Sequence, residues 1–191
     1  LKGKNPAVLY KNYATITPHL VIRSFMHDIH PFWQIIRTVS DFPKSGVDFY
    51  DISPLFDGHI DELCTSLIAA IPTDIYKQTS HLVAIESRGF ILASLLAAKT
   101  HKPLLLIRKQ GKLPPPVHQQ RYELEYGSDT LEMATSPNHC NVLLVDDVLA
   151  TGGTLTASVS LCQKSGHTVL GAVVLLDLPK LHKAMPMPIY K

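Results

Sequence analysis

The chain is short of cysteine, of net charge and of long apolar runs, and each shortage closes off a class of protein. Cys64, Cys140 and Cys162 are the only cysteines in 191 residues, an odd number with no C-x-x-C spacing. A disulfide framework is therefore not expected. Lys and Arg total 18 against 16 Asp and Glu, a formal charge of +2. That balance argues against a nucleic-acid binder or a polybasic membrane surface, so any anion site must be local. The longest apolar stretches, Ile91–Ala98 and Val169–Leu176, fall far short of the ~20 residues that cross a bilayer, and no membrane partner is expected. The opening LKGKNPAVLY has no apolar core of a secretory signal, which makes the cytoplasm the expected compartment. Repeats and low-complexity tracts are absent as well.

What is present is a globular composition, 46% hydrophobic and 18% charged, with 14 prolines gathered at element boundaries and in Leu113-Pro-Pro-Pro116. The length suits one domain of ~100–200 residues. Residues 1–40 read as an N-terminal extension carrying a short amphipathic helix over His30–Val39 (Phe32, Trp33, Ile36, Val39), and 41–191 as a single compact domain. A modest helix is expected over Glu62–Ile71. From His81 a repeating unit begins. His81-Leu-Val-Ala-Ile85 reads as a buried strand, Glu86–Gly89 as a polar turn, Phe90–Lys99 as a helix and Leu104–Ile107 as another strand. Downstream, Val142–Val145 is a strand, Asp146–Thr154 a polar turn, Leu155–Lys164 a helix closed by Ser165-Gly166, and Thr168–Leu176 a further strand. Continuously apolar strands alternating with helices predict an α/β domain with a parallel sheet covered on both faces, its site at the strands' carboxyl ends. Arg108–Met133 shows no clear apolar period and reads as a surface insertion or a lid.

The sharpest chemical signal is Val142-Leu-Leu-Val-Asp-Asp-Val-Leu-Ala-Thr-Gly-Gly-Thr154. Gly152 and Gly153 let backbone N–H groups converge, Ala150, Thr151 and Thr154 complete the turn, and the helix start adds partial positive charge. Together they make an anion cradle. It lacks the Gly-Lys-Ser/Thr of a P-loop, and its acids precede the glycines, which excludes the dinucleotide fingerprint. Asp146 and Asp147 are placed to accept bonds from sugar hydroxyls and to help hold Mg²⁺ through water or substrate oxygens, with no metal ligand assigned directly. The implied ligand is a phosphorylated sugar. His27 and His30 have a metal-compatible spacing but no accompanying ligand cluster.

These thirteen residues resemble the phosphoribosyl-diphosphate motif of the type I phosphoribosyltransferases. Asp41–Pro54, Glu86-Ser-Arg-Gly-Phe90, Arg108-Lys-Gln-Gly-Lys-Leu-Pro114 and Leu124-Glu-Tyr-Gly127 resemble the adenine branch of that family, in the family's order, over about Asp41 to Leu176. The resemblance implies the type I fold with a small N-terminal hood and a flexible lid loop, and a phosphoribosyltransferase domain over 41–191. It also implies transfer from phosphoribosyl diphosphate to adenine with Mg²⁺, giving AMP and pyrophosphate in purine salvage, by a cytoplasmic homodimer.

Arg88 can present a planar donor fork to a diphosphate beside the Ser87 and Arg88 amides. Arg108, Lys109 and Lys112 put three cations within five residues, and the resemblance makes this segment a pyrophosphate contact. By the same resemblance Glu125 handles the proton of the attacking base, and Tyr126 covers the sugar. Without the resemblance, Glu123, Glu125 and Glu132 read as loop solubility charges. Phe49 matches the base-stacking position. Its neighbours depart from the family, which usually has an aliphatic residue where Asp48 stands and a basic one at Tyr50; Asp48 is placed to accept from the exocyclic amine of adenine or else to face solvent. Pro115 replaces a usual glycine. Hypoxanthine, guanine or xanthine as the base stays open on these residues, as does a non-catalytic regulator that senses phosphoribosyl diphosphate. The regulator needs a DNA-reading unit that residues 1–40 do not display.

Overall fold

The computed structural model describes residues 31–124 and 127–191, and these divide into two compact units, one ending at Gly58 and the other running from His59 to Lys191. In the first, Pro31–Gln34 forms a single 3-10 turn in which the Ile35 and Ile36 amides both donate to Phe32 O at 3.0 Å. The expected helix over His30–Val39 does not form. Arg37–Ser40 is instead strand β1, antiparallel to β2 at Asp48–Asp51, with Val39 opposite Phe49 and Thr38 opposite Tyr50. The adjacent β-branched Thr38 and Val39 favour a pleated partner over a second helical turn. His27 and His30 lie outside the described residues.

The second unit begins with α1 (Ile60–Ala69) and α2 (Thr73–Gln78), then β3 (His81–Ile85), α3 (Arg88–Thr100) and β4 (Leu104–Lys109). It continues through β5 (Val117–Leu124), β6 (Gly127–Ala134), β7 (Asn141–Leu149), α4 (Gly153–Lys164), β8 (Thr168–Asp177) and β9 (Ile189–Tyr190). The strands form one sheet in the order β5-β6-β4-β3-β7-β8-β9. From β4 to β9 every neighbouring pair is parallel, while β6 runs antiparallel to β4 and β5 to β6. The sheet is therefore mixed and mostly parallel. Arg108–Met133, read as an insertion or lid, is mainly this hairpin, which extends the sheet edge. Its apolar period was diluted because only one end is in the core: Leu131 and Met133 are buried while Gly127 and Ser128 are exposed.

The interior strands are covered on both sides. Val83, Ile85, Val142, Leu144, Ala172 and Val174 belong to one buried cluster with Leu155, Leu161 and Cys162 of α4, and α3 packs on β3 and β7. Burying a Val, Leu or Ile side chain contributes about 1.5–3 kcal/mol each, so these strands anchor whatever stands at their ends. Gly166 closes α4 as expected, its N–H donating to Gln163 O at 3.0 Å while His167 N–H reaches Cys162 O at 2.9 Å. One boundary differs in a way that matters. The turn expected from Asp146 starts later, because β7 continues through both acids to Leu149 and pairs Asp146 with Val174 of β8.

Candidate active site

That extension places the two carboxylates on a strand end, and both are buried, with Asp146 8% and Asp147 5% exposed. They are not solvated turn acids. The Asp147 N–H donates to Asp146 Oδ1 at 3.0 Å, and Asp147 Oδ2 lies 2.6 Å from Arg88 Nε. This oxygen is buried and has no aligned hydrogen-bond donor, so the contact with Arg88 is an ion pair only. Burial drives the Asp146 carboxyl well above the ordinary carboxylate range, and the neighbouring Asp147 charge adds to the rise. Burial also raises Asp147, against the pull of the Arg88 guanidinium. The acids titrate as a pair.

Arg88 opens α3, whose first turn lies hard against β7. A Cβ at Gly89 would stand 2.7 Å from Val145 O and 3.0 Å from Asp146 Oδ1, so only glycine lets the helix start come this close. Ser87 precedes the helix, and its carbonyl accepts from Phe90 N–H at 3.2 Å. The turn after β7 is held by Gly152 at φ +82°, and α4 starts at Gly153. Its amides head the helix as the cradle required. Met185 rests over this turn: a Cβ on Gly152 would meet its Sδ at 2.7 Å. Thr151, Gly152 and Thr156 line one wall of a cavity of about 360 Å³ whose other wall is Arg121–Glu123 of β5.

The basic segment leaves the carboxyl end of β4. Arg108 Nε is 3.3 Å from Glu86 Oε2, which also accepts the Lys109 N–H at 2.9 Å, and Arg108 Nη1 donates to Lys112 O at 3.2 Å. Lys109 Nζ pairs with Asp129 Oδ2 at 3.2 Å, and Lys112 is exposed. Glu132, expected as a solubility charge, is 3% exposed and accepts from Gly111 N–H at 2.9 Å and Gln119 Nε2 at 2.8 Å. Glu86, Asp129 and Glu132 thus brace the basic segment, a role that sequence reasoning did not assign to them. The available signal for Glu132 was its place between the core residues Leu131 and Met133.

The base-reading candidates belong to the first unit. On β2, Asp48 accepts from Ser40 Oγ at 2.8 Å, Phe49 meets Phe42 edge-on at 5.2 Å between ring centres, and Tyr50 meets Trp33 at 5.7 Å. Glu125 and Tyr126 lie outside the described residues. The structure brings together Ser87, Arg88, Asp146, Asp147 and Ala150–Thr154 around β3 and β7, and arranges Arg108, Lys109 and Lys112 at β4.

A strand ending in two buried acids, a glycine turn and a helix start, with a basic segment two strands away at the end of β4, suits a phosphorylated sugar substrate. Residues 54–190 match the phosphoribosyl transferase domain. The chain is 47% identical over 148 residues to an adenine phosphoribosyltransferase of Polynucleobacter asymbioticus, covering 75% of this chain and 84% of that one. The crystal structure of the Rhodothermus marinus adenine phosphoribosyltransferase is similar with a TM-score of 0.74 at 36% identity, covering 83% of this chain and 93% of that one. The Saccharomyces cerevisiae enzyme, solved with an imino-altritol bisphosphate and adenine, is similar with a TM-score of 0.78 at 28% identity, covering 84% of this chain and 95% of that one. The chain belongs to the adenine phosphoribosyltransferase family.

Proposed function

We propose that this protein transfers the 5-phosphoribosyl group from phosphoribosyl diphosphate to the N9 of adenine, releasing AMP and pyrophosphate. The observation that carries the reading is the buried Asp146–Asp147 pair running directly into the Gly152–Gly153 turn at the head of α4. The carboxylates accept from the ribose hydroxyls while the Ala150–Thr154 amides and hydroxyls take the 5-phosphate. Ser87, Arg88, Arg108, Lys109 and Lys112 hold the diphosphate. The bond from the anomeric carbon to pyrophosphate breaks through an oxocarbenium-like state, so positioning and electrostatics supply most of the rate. Phe49 stacks on adenine, Asp48 accepts from its exocyclic amine and Tyr50 borders the ring. Glu125 takes the proton that the purine loses as the new C–N bond forms, and Tyr126 closes over the sugar.

The residues present fit Mg²⁺ arriving with the diphosphate. Asp147 Oδ2 is a buried oxygen without an aligned donor, and Mg²⁺ is commonly held by one or two carboxylates together with substrate phosphates and water. Asp146 and Asp147 would hold it, and it would neutralise charge on the departing pyrophosphate. Two further features belong to this reading. The likeness to the family carries a homodimer into this reading. Three buried free cysteines suit a reducing cytoplasm, and no helix among the described residues is long and apolar enough to cross a membrane.

The test is product formation with adenine, hypoxanthine, guanine and xanthine in turn, with and without Mg²⁺. AMP from adenine alone, dependent on Mg²⁺, is expected. Equal use of guanine or hypoxanthine overturns the base assignment, and no nucleotide from any purine overturns the transfer itself.

A further inference from the structure

One buried, fully partnered carboxylate of the second unit lies outside the proposed chemistry. Glu132 stands on β6 directly opposite Arg108 of β4 and is 3% exposed. A buried charge of this kind is costly unless its oxygens are all partnered. Here Oε2 accepts from Gly111 N–H at 2.9 Å and Oε1 accepts from Gln119 Nε2 at 2.8 Å. Burial alone would raise its pKa, yet these donors hold it below the ordinary carboxylate value.

One carboxylate therefore ties the Gly111 amide of the turn after β4 to the Gln119 side chain of β5. We propose that Glu132 is a positioning residue that anchors this turn through the Gly111 amide. The turn then holds one shape and diphosphate is left to the side chains of Arg108, Lys109 and Lys112. The neighbouring contacts fit that role. The turn closes through Lys112 N–H to Lys109 O at 3.2 Å, Gln110 N–H is tied to Thr130 O at 3.0 Å, and the Lys112 carbonyl produced by this shape accepts from Arg108 Nη1 at 3.2 Å. Loss of Glu132 would free the Gly111 amide, loosen the turn that presents that carbonyl and let the guanidinium swing. The inference rests on the reading of this loop as the diphosphate contact.

The experiment measures KM for phosphoribosyl diphosphate, KM for adenine and the competitive inhibition constant of pyrophosphate in Glu132→Ala and Glu132→Gln. In the alanine variant we expect the phosphoribosyl-diphosphate KM and the pyrophosphate constant to rise tenfold or more while adenine KM stays within twofold. Glutamine should restore both to within threefold of the parent, since its carbonyl can face the Gly111 amide while Gln119 turns its own oxygen toward the new NH₂. A pyrophosphate constant unchanged in the alanine variant, an equal loss toward adenine, or a glutamine variant as weak as the alanine one overturns the proposal. If Glu132→Ala does not fold, Gln119→Met, which leaves the carboxylate but removes its side-chain anchor, is read in its place. A rise of threefold or more in the pyrophosphate constant is expected there, and no rise overturns the proposal. Failure of the underlying reading would show in the parent protein, as pyrophosphate that does not compete with phosphoribosyl diphosphate.

Discussion

Replacing Asp146 by Asn should make the protein more stable and less active, and the two effects come from the same burial. Asp146 is 8% exposed and adjoins Asp147, which is 5% exposed. Burial and the neighbouring charge both push its carboxyl well above the ordinary range. A carboxyl whose folded pKa is raised binds more protons folded than unfolded, so stability falls as pH rises from the unfolded value of ~3.9 toward the folded one. Asn carries no such penalty. It also keeps the carbonyl oxygen that accepts the Asp147 N–H at 3.0 Å, so no donor is orphaned by the change. Single-site gains of this kind reach about 0.5–2 kcal/mol. At ~2–4 °C per kcal/mol for a chain of this size, the melting temperature should rise by about 1–8 °C near neutral pH.

The catalytic cost runs the other way. If the carboxylate accepts from a ribose hydroxyl, its neutralisation removes a charged hydrogen bond worth about 1.5–3 kcal/mol. That corresponds to roughly a 10- to 150-fold fall in kcat/KM for phosphoribosyl diphosphate. Thermal unfolding of parent and Asp146→Asn at pH 4.5, 6 and 7.5, alongside steady-state kinetics, tests both halves. The gain in melting temperature should grow with pH. A variant less stable than the parent at pH 7.5, or a gain of equal size at pH 4.5, refutes the electrostatic argument; unaltered kinetics refutes the sugar contact.

Two further outcomes follow from contacts on the page. Gly89→Ala should destabilise by about 1–3 kcal/mol, because the added methyl meets Val145 O at 2.7 Å and Asp146 Oδ1 at 3.0 Å and the strand carbonyl cannot move aside; a melting temperature equal to the parent's would show that the helix start has slack. His182 offers both ring nitrogens to oxygens at 2.7 Å, Lys183 O and Asp177 Oδ1, which fixes it as an imidazolium, and its pKa is raised by the Lys183 carbonyl and by Asp177. Its stabilisation is therefore complete below the unfolded value of ~6.5 and lost as pH rises through the higher folded one. His182→Gln should flatten the decline in melting temperature between pH 6 and 9, and a decline as steep as the parent's would remove the residue from that role.

The parts that could be read from sequence were those where one local rule acts alone. Buried parallel strands are apolar throughout, so His81–Ile85, Leu104–Ile107 and Thr168–Leu176 were legible as strands to within a few residues of their observed ends. The Gly152-Gly153 turn was legible because few other residues tolerate that backbone beside a helix start. The hairpin from Val117 to Ala134 was not, since one face carries Gln119, Arg121 and Glu123 and only its far end reaches the core. The helix expected over His30–Val39 lost to strand pairing, an interaction with residues 8 to 14 positions away. Nor could the burial of Asp146 and Asp147 be read, because an acid at a strand end and an acid in a loop look alike until a helix or a neighbouring strand covers them.

On the proposed reading of the site, its charge arrangement has a physical consequence. Arg88 pairs with Asp147, Arg108 with Glu86 and Lys109 with Asp129. Left to themselves, cations converging on one anion would repel one another and splay into solvent, and each would need reordering before a diphosphate could be grasped. Carboxylate partners hold the donors near their working positions in advance, which lowers the reorganisation demanded when charge develops on the leaving group. The same pairing has an opposing effect on affinity, because an incoming diphosphate must compete with carboxylates already in contact. An Mg²⁺ ion arriving with the substrate would offset that competition by neutralising part of the anion. Weakening one internal pair should therefore loosen the geometry before it strengthens binding. By this argument Asp129→Asn, which frees Lys109 without touching a strand core, costs more in the chemical step than it returns in substrate affinity.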